Sequence, residues 1–312
     1  MSQRNSTVPS EFILAEIIHN PELQLLLLAA FLVIYGVALI GNLSLIILTK
    51  LDSHLHTPMY YFIRHLSFID LANSTVIYPK TMVNIAMNQN VISYYGCAIQ
   101  MAFYTVFIIC ELFILSSMAI DRYVAICNPL LYSVIMSERR CFALVSIPYL
   151  HSILQSLVIT SNVFTSAFCG SVIRHFYCDN VPVLPLLCFR TRDIELMIIL
   201  FATFNLISSL FIILVSYLLI VLAIFGMHSA EGRKKAFLTC GSHLTVVVIF
   251  YVPLLSMYLQ PKSTHSLESE KKASVFYTLV VPMLNPLIYS FRNKEVKNAV
   301  MRVFKNRCKL CT

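Results

Sequence analysis

Charge is what this chain has least of. Only 12% of its 312 residues are Asp, Glu, Lys or Arg, against 58% apolar. A soluble globular domain carries about 25% charged residues, so that class is excluded. Tryptophan is absent and glycine occurs seven times, but it is the scarcity of charge that decides the class. No His-Glu-x-x-His or Gly-x-Ser-x-Gly motif appears, so a membrane hydrolase has no visible catalytic set. The opening Met1-Ser2-Gln3-Arg4-Asn5-Ser6-Thr7 lacks the charged-then-apolar pattern of a cleaved signal. The first apolar stretch is therefore expected to act as an uncleaved insertion signal. No two-halves repeat of the kind many transporters carry is visible.

What is present is apolar length. A membrane span needs roughly 20 mainly apolar residues, and seven stretches qualify, at about 24–49, 59–86, 96–127, 141–165, 195–225, 236–260 and 272–290. Short polar breaks separate them at Asp52 to Pro58, Met87 to Tyr95 and Gly226 to Lys235. In the last break, Glu231-Gly232-Arg233-Lys234-Lys235 is expected to extend a helix. After the seventh span, Phe291, Val296, Val300, Val303 and Phe304 recur at helical spacing among basic residues. That pattern predicts an amphipathic helix lying on the membrane surface. The expected fold is an all-α membrane protein, a seven-transmembrane-helix bundle with a short amphipathic C-terminal helix. It forms one domain over 1–312, with an extracellular N-terminus over about 1–23 and a cytoplasmic tail over about 291–312.

Orientation follows from the loops. With the N-terminus outside, eight basic and eight acidic residues fall on the outer side, and fifteen basic and five acidic on the inner side. The inner surplus is the positive-inside bias of a multi-pass plasma-membrane protein. It makes the net charge of +8 a topology signal facing the lipid bilayer, not a nucleic-acid patch. Asn5-Ser6-Thr7 then lies outside as a glycosylation sequon. Asn42-Leu43-Ser44 and Asn73-Ser74-Thr75 match the same pattern inside spans, out of the transferase's reach.

Four cysteines, Cys97, Cys169, Cys178 and Cys188, fall outside, which suggests two bridges and allows three connectivities. The other six are expected to be free thiols. Cys308 and Cys311 sit in the basic tail, open to palmitoylation or unmodified.

Chemistry concentrates at a few places. Asp121-Arg122-Tyr123 closes the third span. Arginine cannot shed its charge, so it needs the water boundary or a partner, and Asp121 beside it can form a latch. Asp70 and Glu111 are acids deep in spans two and three. Such groups face the bundle interior, where with Ser117 and Asn285 they form a candidate sodium site or a neutral hydrogen-bonded pair. Asn285-Pro286 interrupts the seventh span; the proline frees one helix carbonyl, with Asn42 and Asp70 as candidate partners.

Taken together, several segments resemble the vertebrate olfactory receptors, a branch of the rhodopsin-like G-protein-coupled receptors. They are Gly41-Asn42, Leu55-His56-Thr57-Pro58-Met59-Tyr60, Leu66-Ser67-Phe68-Ile69-Asp70, and Met118 through Pro129. Ser216-Tyr217, Lys235 through Leu244 and Pro282 through Asn293 continue the likeness. It covers nearly the whole chain. Two departures stand out: Ile120 where the family usually has Tyr, and Val252-Pro253 after Phe250-Tyr251 where it usually has Gly. The seventh span has no lysine between Ala273 and Ser290, so a retinal Schiff base has no anchor. Tyr104 stands where amine receptors carry an aspartate, which leaves a cationic amine without a counter-ion in span three.

The resemblance implies a receptor, not an enzyme, for a small odorant. It implies coupling to a heterotrimeric stimulatory G protein that raises cyclic AMP. It implies bridges Cys97–Cys178 and Cys169–Cys188, and activation through Asp121, Arg122, Tyr123, Tyr217, His243, Asn285, Pro286 and Tyr289. The alternatives are the same receptor sensing a metabolite elsewhere, or a transporter. The expected pocket takes Tyr104, Thr105, Ile108 and Ile109 from span three, and Phe201, Ala202 and Asn205 from span five. Tyr251, Leu254, Leu255 and Tyr258 of span six, and Val275 and Thr278 of span seven, complete it. None of these is charged, so the expected ligand is neutral, with Lys262 as the charged residue nearest to contradict this. No cofactor is expected beyond a sodium ion at Asp70 and Glu111 as an allosteric modulator.

Overall fold

The computed structural model describes residues 9–18, 20–189, 191–259, 273–292 and 295–302. Asn5, Lys262, Cys308 and Cys311 lie outside this set. Six long helices come first: α1 (Pro21–Leu51), α2 (Pro58–Met87), α3 (Tyr94–Cys127), α4 (Glu138–Phe164), α5 (Thr191–Gly226) and α6 (Ala230–Leu259). The seventh span enters at Ala273, passes through a π-helical stretch, Phe276–Val280, and runs on as α7 (Val281–Arg292). Helix resumes over 295–302. These bounds lie within a few residues of those the sequence predicts. The segment Glu231 to Lys235 is helical as expected, so the α5–α6 break shrinks to Met227, His228 and Ser229.

Local chemistry sets the helix ends. Asn20 caps α1, its side chain accepting from the Glu22 N–H at 3.0 Å, with Pro21 in the first turn. Ser93 caps α3 through the Gly96 N–H at 3.1 Å. The chain leaves α2 through Asn88, whose φ of 51° is the left-handed conformation of a helix C-terminus.

Six of the seven helices are long and apolar enough to cross a membrane. The exception, α2, carries Arg64, His65, Asp70, Asn73 and Lys80 and is held by packing on α1 and α3. α3 is the central helix, packing on α2, α4, α5 and α6. The outer faces are bare hydrocarbon: Leu25, Leu26, Leu32 and Val33 of α1, and Leu200, Phe204, Ile207, Phe211, Leu214 and Leu218 of α5, are each more than half exposed. Apolar surface on that scale needs lipid against it.

One end carries a small three-stranded sheet. β1 (Glu11–Leu14) lies between β2 (Val91–Ser93), antiparallel, and β3 (Val172–Ile173), parallel. Phe12 is fully buried there with Ile92, Met101 and Ile173, so the N-terminal segment and the α4–α5 loop share a core. The same loop holds both disulfides, Cys97–Cys178 and Cys169–Cys188. The pairing is the one the resemblance implied.

Two prolines inside helices show how backbone is satisfied away from water. Pro286 deprives the Pro282 carbonyl of its helical donor, and the Asn42 amide of α1 supplies a replacement at 2.9 Å. Pro148 frees the Leu144 carbonyl, and the Ser117 hydroxyl of α3 donates to it at 3.0 Å. α1 can reach α7 because residue 41 is glycine. A Cβ there would come within 2.9 Å of the Pro286 ring. Asn42→Leu and Ser117→Ala each leave a buried carbonyl bare, at a cost of about 1–3 kcal/mol. The expected result is a lower thermal unfolding midpoint for both purified variants, and an unchanged midpoint in either removes that carbonyl from the account.

Candidate functional site

Below the disulfide-bearing loop lies a cavity of about 310 Å³. Its floor and walls are mostly apolar: Ile108, Ile109 and Leu112 of α3, Ile159 of α4, Ile198, Phe201, Ala202 and Leu206 of α5, and Leu254 of α6. Tyr104, Thr105, Gln155, Asn205, Ser274 and Tyr277 supply polar groups, and the loop adds His175, Asp179, Asn180, Val181 and Pro182 as a roof. An apolar chamber with a few placed polar groups is the usual form of a small-ligand site.

Eight residues expected from the sequence meet there: Tyr104, Thr105, Ile108, Ile109, Phe201, Ala202, Asn205 and Leu254. Tyr251, Leu255, Val275 and Thr278 do not line it. Tyr251 is buried deeper, its hydroxyl donating to the Ser209 hydroxyl at 2.8 Å to join α6 to α5. Leu255 packs into the helix core. Tyr258 lies near the end of α6, with its side chain outside the described residues. Val275 packs against the core, and Thr278 hydrogen-bonds Tyr78 of α2 at 2.7 Å. Ser274 and Tyr277 take their places, each one residue earlier. The π-helical turn over Phe276–Val280 accommodates an extra residue, so a regular-helix reading of that face slips by one.

The roof was not expected at all. Cys97–Cys178 fastens the loop to the top of α3. The Gln100 side chain accepts from the Cys178 N–H at 2.9 Å, and the Asn180 amide donates to Thr105 at 3.0 Å. A residue next to a cysteine tied to α3 must lie over the bundle mouth, and that was the available signal. It overturns the expectation of a lining without charge, because Asp179 is part of it. A counter-ion for a cation is therefore present, from the loop instead of from span three. Burial pushes the Asp179 carboxyl up to about 6, against the pull of the Asn180 N–H, which it accepts at 2.6 Å.

Polar networks surround the chamber. The Tyr104 hydroxyl donates to Tyr277 at 3.1 Å, and Tyr177 and Tyr277 hydroxyls meet at 2.9 Å. On the α4–α5 side, Asn205 donates to Gln155 at 2.7 Å and pairs with His151 at 2.9 Å.

In mid-bundle, Asn285 donates to Asp70 at 2.9 Å. Asp70 and Glu111 are near enough to interact electrostatically. Asp70 Oδ1, Glu111 Oε1, Asn285 Oδ1, Ser74 Oγ and Tyr289 Oη are buried without a hydrogen-bond partner among the described residues. Ser117 does not join this cluster, since its hydroxyl is turned to α4 to satisfy the carbonyl freed by Pro148.

At the far end, the Arg122 guanidinium pairs with Asp121 at 2.5 Å. Asp121 is fully buried and also accepts from the Tyr132 hydroxyl at 2.7 Å. Tyr132, in the short helix Tyr132–Ile135, is a further partner of this ion pair that sequence reading missed. Tyr123 packs against the core. His243 Nε2 faces the Leu115 carbonyl at 3.1 Å, and its Nδ1 faces the Tyr217 hydroxyl at 2.7 Å. A carbonyl can only accept, so Nε2 carries the proton and Tyr217 donates to Nδ1. α5 and α6 are thereby tied to α3. Arg302, in the last described helix, donates to Asp52 at 2.9 Å. Burial would raise the Asp52 carboxyl, but the bonds from Arg302 and His54 prevail and hold it below the usual range.

The bundle matches the crystal structure of squid rhodopsin with a TM-score of 0.73, over 91% of this chain and 81% of that one at 18% identity. The fold is that of the rhodopsin-like seven-helix receptors. The olfactory receptor family model matches residues 31–307. The chain is 65% identical to human olfactory receptor 8K5 over 98% of its own length and 100% of that protein's. It is 60% identical to human olfactory receptor 8K3 (99% of both chains), and 53% to mouse olfactory receptor 8U3 (96% and 94%). The chain belongs to the olfactory receptor family, a family of multi-pass membrane receptors for odorants that couple to G proteins.

Asp121→Asn releases Arg122 from its partner and is expected to raise ligand-independent signalling. Tyr132→Phe removes one of the hydrogen bonds on the same carboxylate and is expected to raise it less. Basal second-messenger output at matched surface levels measures both; equal output in all three receptors would show that Asp121 does not hold the latch.

Proposed function

We propose that this chain binds small volatile organic molecules in the chamber under the disulfide-tethered loop and signals through a stimulatory G protein to raise cyclic AMP. The observation that carries this reading is the chamber itself, apolar, about 310 Å³ and roofed, in a chain so similar to named olfactory receptors. We place the receptor in the plasma membrane with the sheet and disulfides outside and the Asp121–Arg122 end inside. The two bridges support that orientation, because disulfides persist on the oxidising side, as does the positive-inside bias. The ligand acts by binding the active arrangement better than the resting one. Alcohols, aldehydes, ketones and esters suit the lining, with hydrogen bonds worth about 0.5–1.5 kcal/mol each and apolar burial at roughly 25 cal/mol per Å². Opening of the Asp121–Arg122 latch, with rearrangement of Tyr217, His243 and Tyr289, would expose Arg122 to the G protein.

We also propose a sodium ion as an allosteric modulator at Asp70 and Glu111. The unpartnered oxygens of Asp70, Glu111, Asn285 and Ser74 are hard donors of the type such a cation takes. The ion would supply positive charge between the two acids.

Cells expressing the chain are expected to raise cyclic AMP to members of an odorant panel. Ala202→Trp, which fills the chamber, is expected to cut the response at least tenfold at unchanged surface level, and Arg122→Ala to abolish it. A full response in Ala202→Trp would move the ligand elsewhere. For the ion, Asp70→Asn or Glu111→Gln is expected to remove the dependence of the agonist response on sodium concentration. A parent response indifferent to sodium rejects the site.

A further inference from the structure

Among the described residues Asp179 is the one ionisable carboxyl in the chamber's lining, and no lysine or arginine lines the chamber with it. Among the described residues its one hydrogen bond comes from the Asn180 N–H to Oδ1. The phenols nearest it, Tyr104, Tyr177 and Tyr277, are close enough to feel its charge. Their protons are committed elsewhere. Tyr277 donates to Ser274 at 3.3 Å, so it accepts from Tyr104 and Tyr177 and none of the three turns its hydrogen to the carboxylate. His175 bonds the same Ser274 hydroxyl at 3.1 Å. With its carboxyl at about 6, Asp179 is mostly ionised at neutral pH. A charge in such surroundings seeks a partner, and among the described lining residues only the His175 imidazole, already bonded to Ser274, could carry a positive charge.

We propose that Asp179 selects ligands by charge and that protonated aliphatic amines are the chamber's preferred class. The ammonium would pair with the roof carboxylate while the chain lies against Ile108, Ile109, Phe201, Leu206 and Leu254. The proposal rests on the reading that the chamber is the ligand site. It narrows that reading, since a carboxylate ligand would meet Asp179 with like charge and be rejected, and a neutral alcohol would gain only an ordinary hydrogen bond. A charge-assisted bond is roughly twice as strong as a neutral one.

The test is a cyclic AMP dose–response series with n-hexylamine, 1-hexanol and hexanoic acid, and their seven- and eight-carbon homologues. The expected order in the parent is amine first by about tenfold or more over alcohol, with the acid weakest. Asp179→Asn keeps an oxygen to cap the Asn180 turn and removes the charge. It is expected to erase the amine's advantage while leaving the alcohol's potency within about threefold. Asp179→Ser, a second neutral capping residue, is expected to do the same, and Asp179→Glu to retain the advantage. Alcohols equal to or better than amines in the parent, an advantage that survives in both neutral variants, or acids that lead the series would each overturn the proposal and leave the chamber as the ligand site. Silence to all three series at normal surface level would overturn the proposal together with the reading beneath it.

Discussion

A carbonyl oxygen stripped of its donor inside lipid has no water to turn to, and much of this bundle is arranged around that fact. Proline kinks α4 and α7, and each kink exposes one carbonyl at a known place, four residues back. At Pro286 the partner is the Asn42 side chain; at Pro148 it is the Ser117 hydroxyl. Both come from a neighbouring helix, so the same bond that repairs the backbone also fixes which helix lies alongside. The Asn42 contact works only because Gly41 lets α1 close on the Pro286 ring. Elsewhere the hydroxyls satisfy themselves locally: Thr49, Thr81, Thr105 and Ser116 donate to the carbonyl four residues earlier, which also keeps its backbone donor. A serine or threonine in such a helix need not seek a ligand or an ion.

The same constraint makes the exceptions informative. Among the buried oxygens that have no hydrogen-bond partner in the described residues are those of Asp70, Ser74, Glu111, Asn285 and Tyr289. They lie on the inward faces of helices 2, 3 and 7. By contrast, the far end is fully engaged, with Arg122 on Asp121, Tyr132 on Asp121, and Tyr217 on His243. On the proposed reading, this closed ion pair beside a polar cluster with spare bonding capacity is the resting arrangement. On that reading a second arrangement of α6 and α7 would gain bonds in the middle for those given up at the end, which would keep the two close in energy. A ligand with modest differential affinity is then enough to shift the balance.

Much of this was legible in the chain. The apolar runs gave the spans, because a segment that crosses lipid must be apolar over its length. Asn42 was readable as a partner for the kink because Pro286 defines which carbonyl is freed. The mid-bundle polar cluster was legible in Asp70, Glu111 and Asn285 but not in Ser117, whose hydroxyl is taken by the carbonyl that a proline frees on another helix. The register of the seventh span was not legible. Nothing in Phe276-Tyr277-Thr278-Leu279-Val280 marks a π-turn, so Val275 and Thr278 were expected where Ser274 and Tyr277 stand. Tyr132 was invisible for a different reason: it lies beyond the span, in a short helix whose position depends on tertiary packing.

The roof is the largest omission, and it changes how the chamber divides its work. Helix positions that line the floor are also positions that pack the bundle, so a change in Ile108 or Leu206 alters stability along with ligand fit. Loop residues 179 to 182 lie outside both hydrophobic core clusters and are less bound by that double duty. Their place is set by the Cys97–Cys178 bridge, by the Gln100 and Asn180 bonds, and by the strand pairing of Val172 and Ile173 with β1. Within that frame the side chain at 179 is constrained mainly to cap one short turn, a task that Asp, Asn or Ser performs equally well. The charge at that position can therefore differ without disturbing the helices that carry the signal. On the proposed reading a bundle that transmits and a tethered loop that selects can vary separately, which is the arrangement a receptor needs if one switch is to serve many ligands.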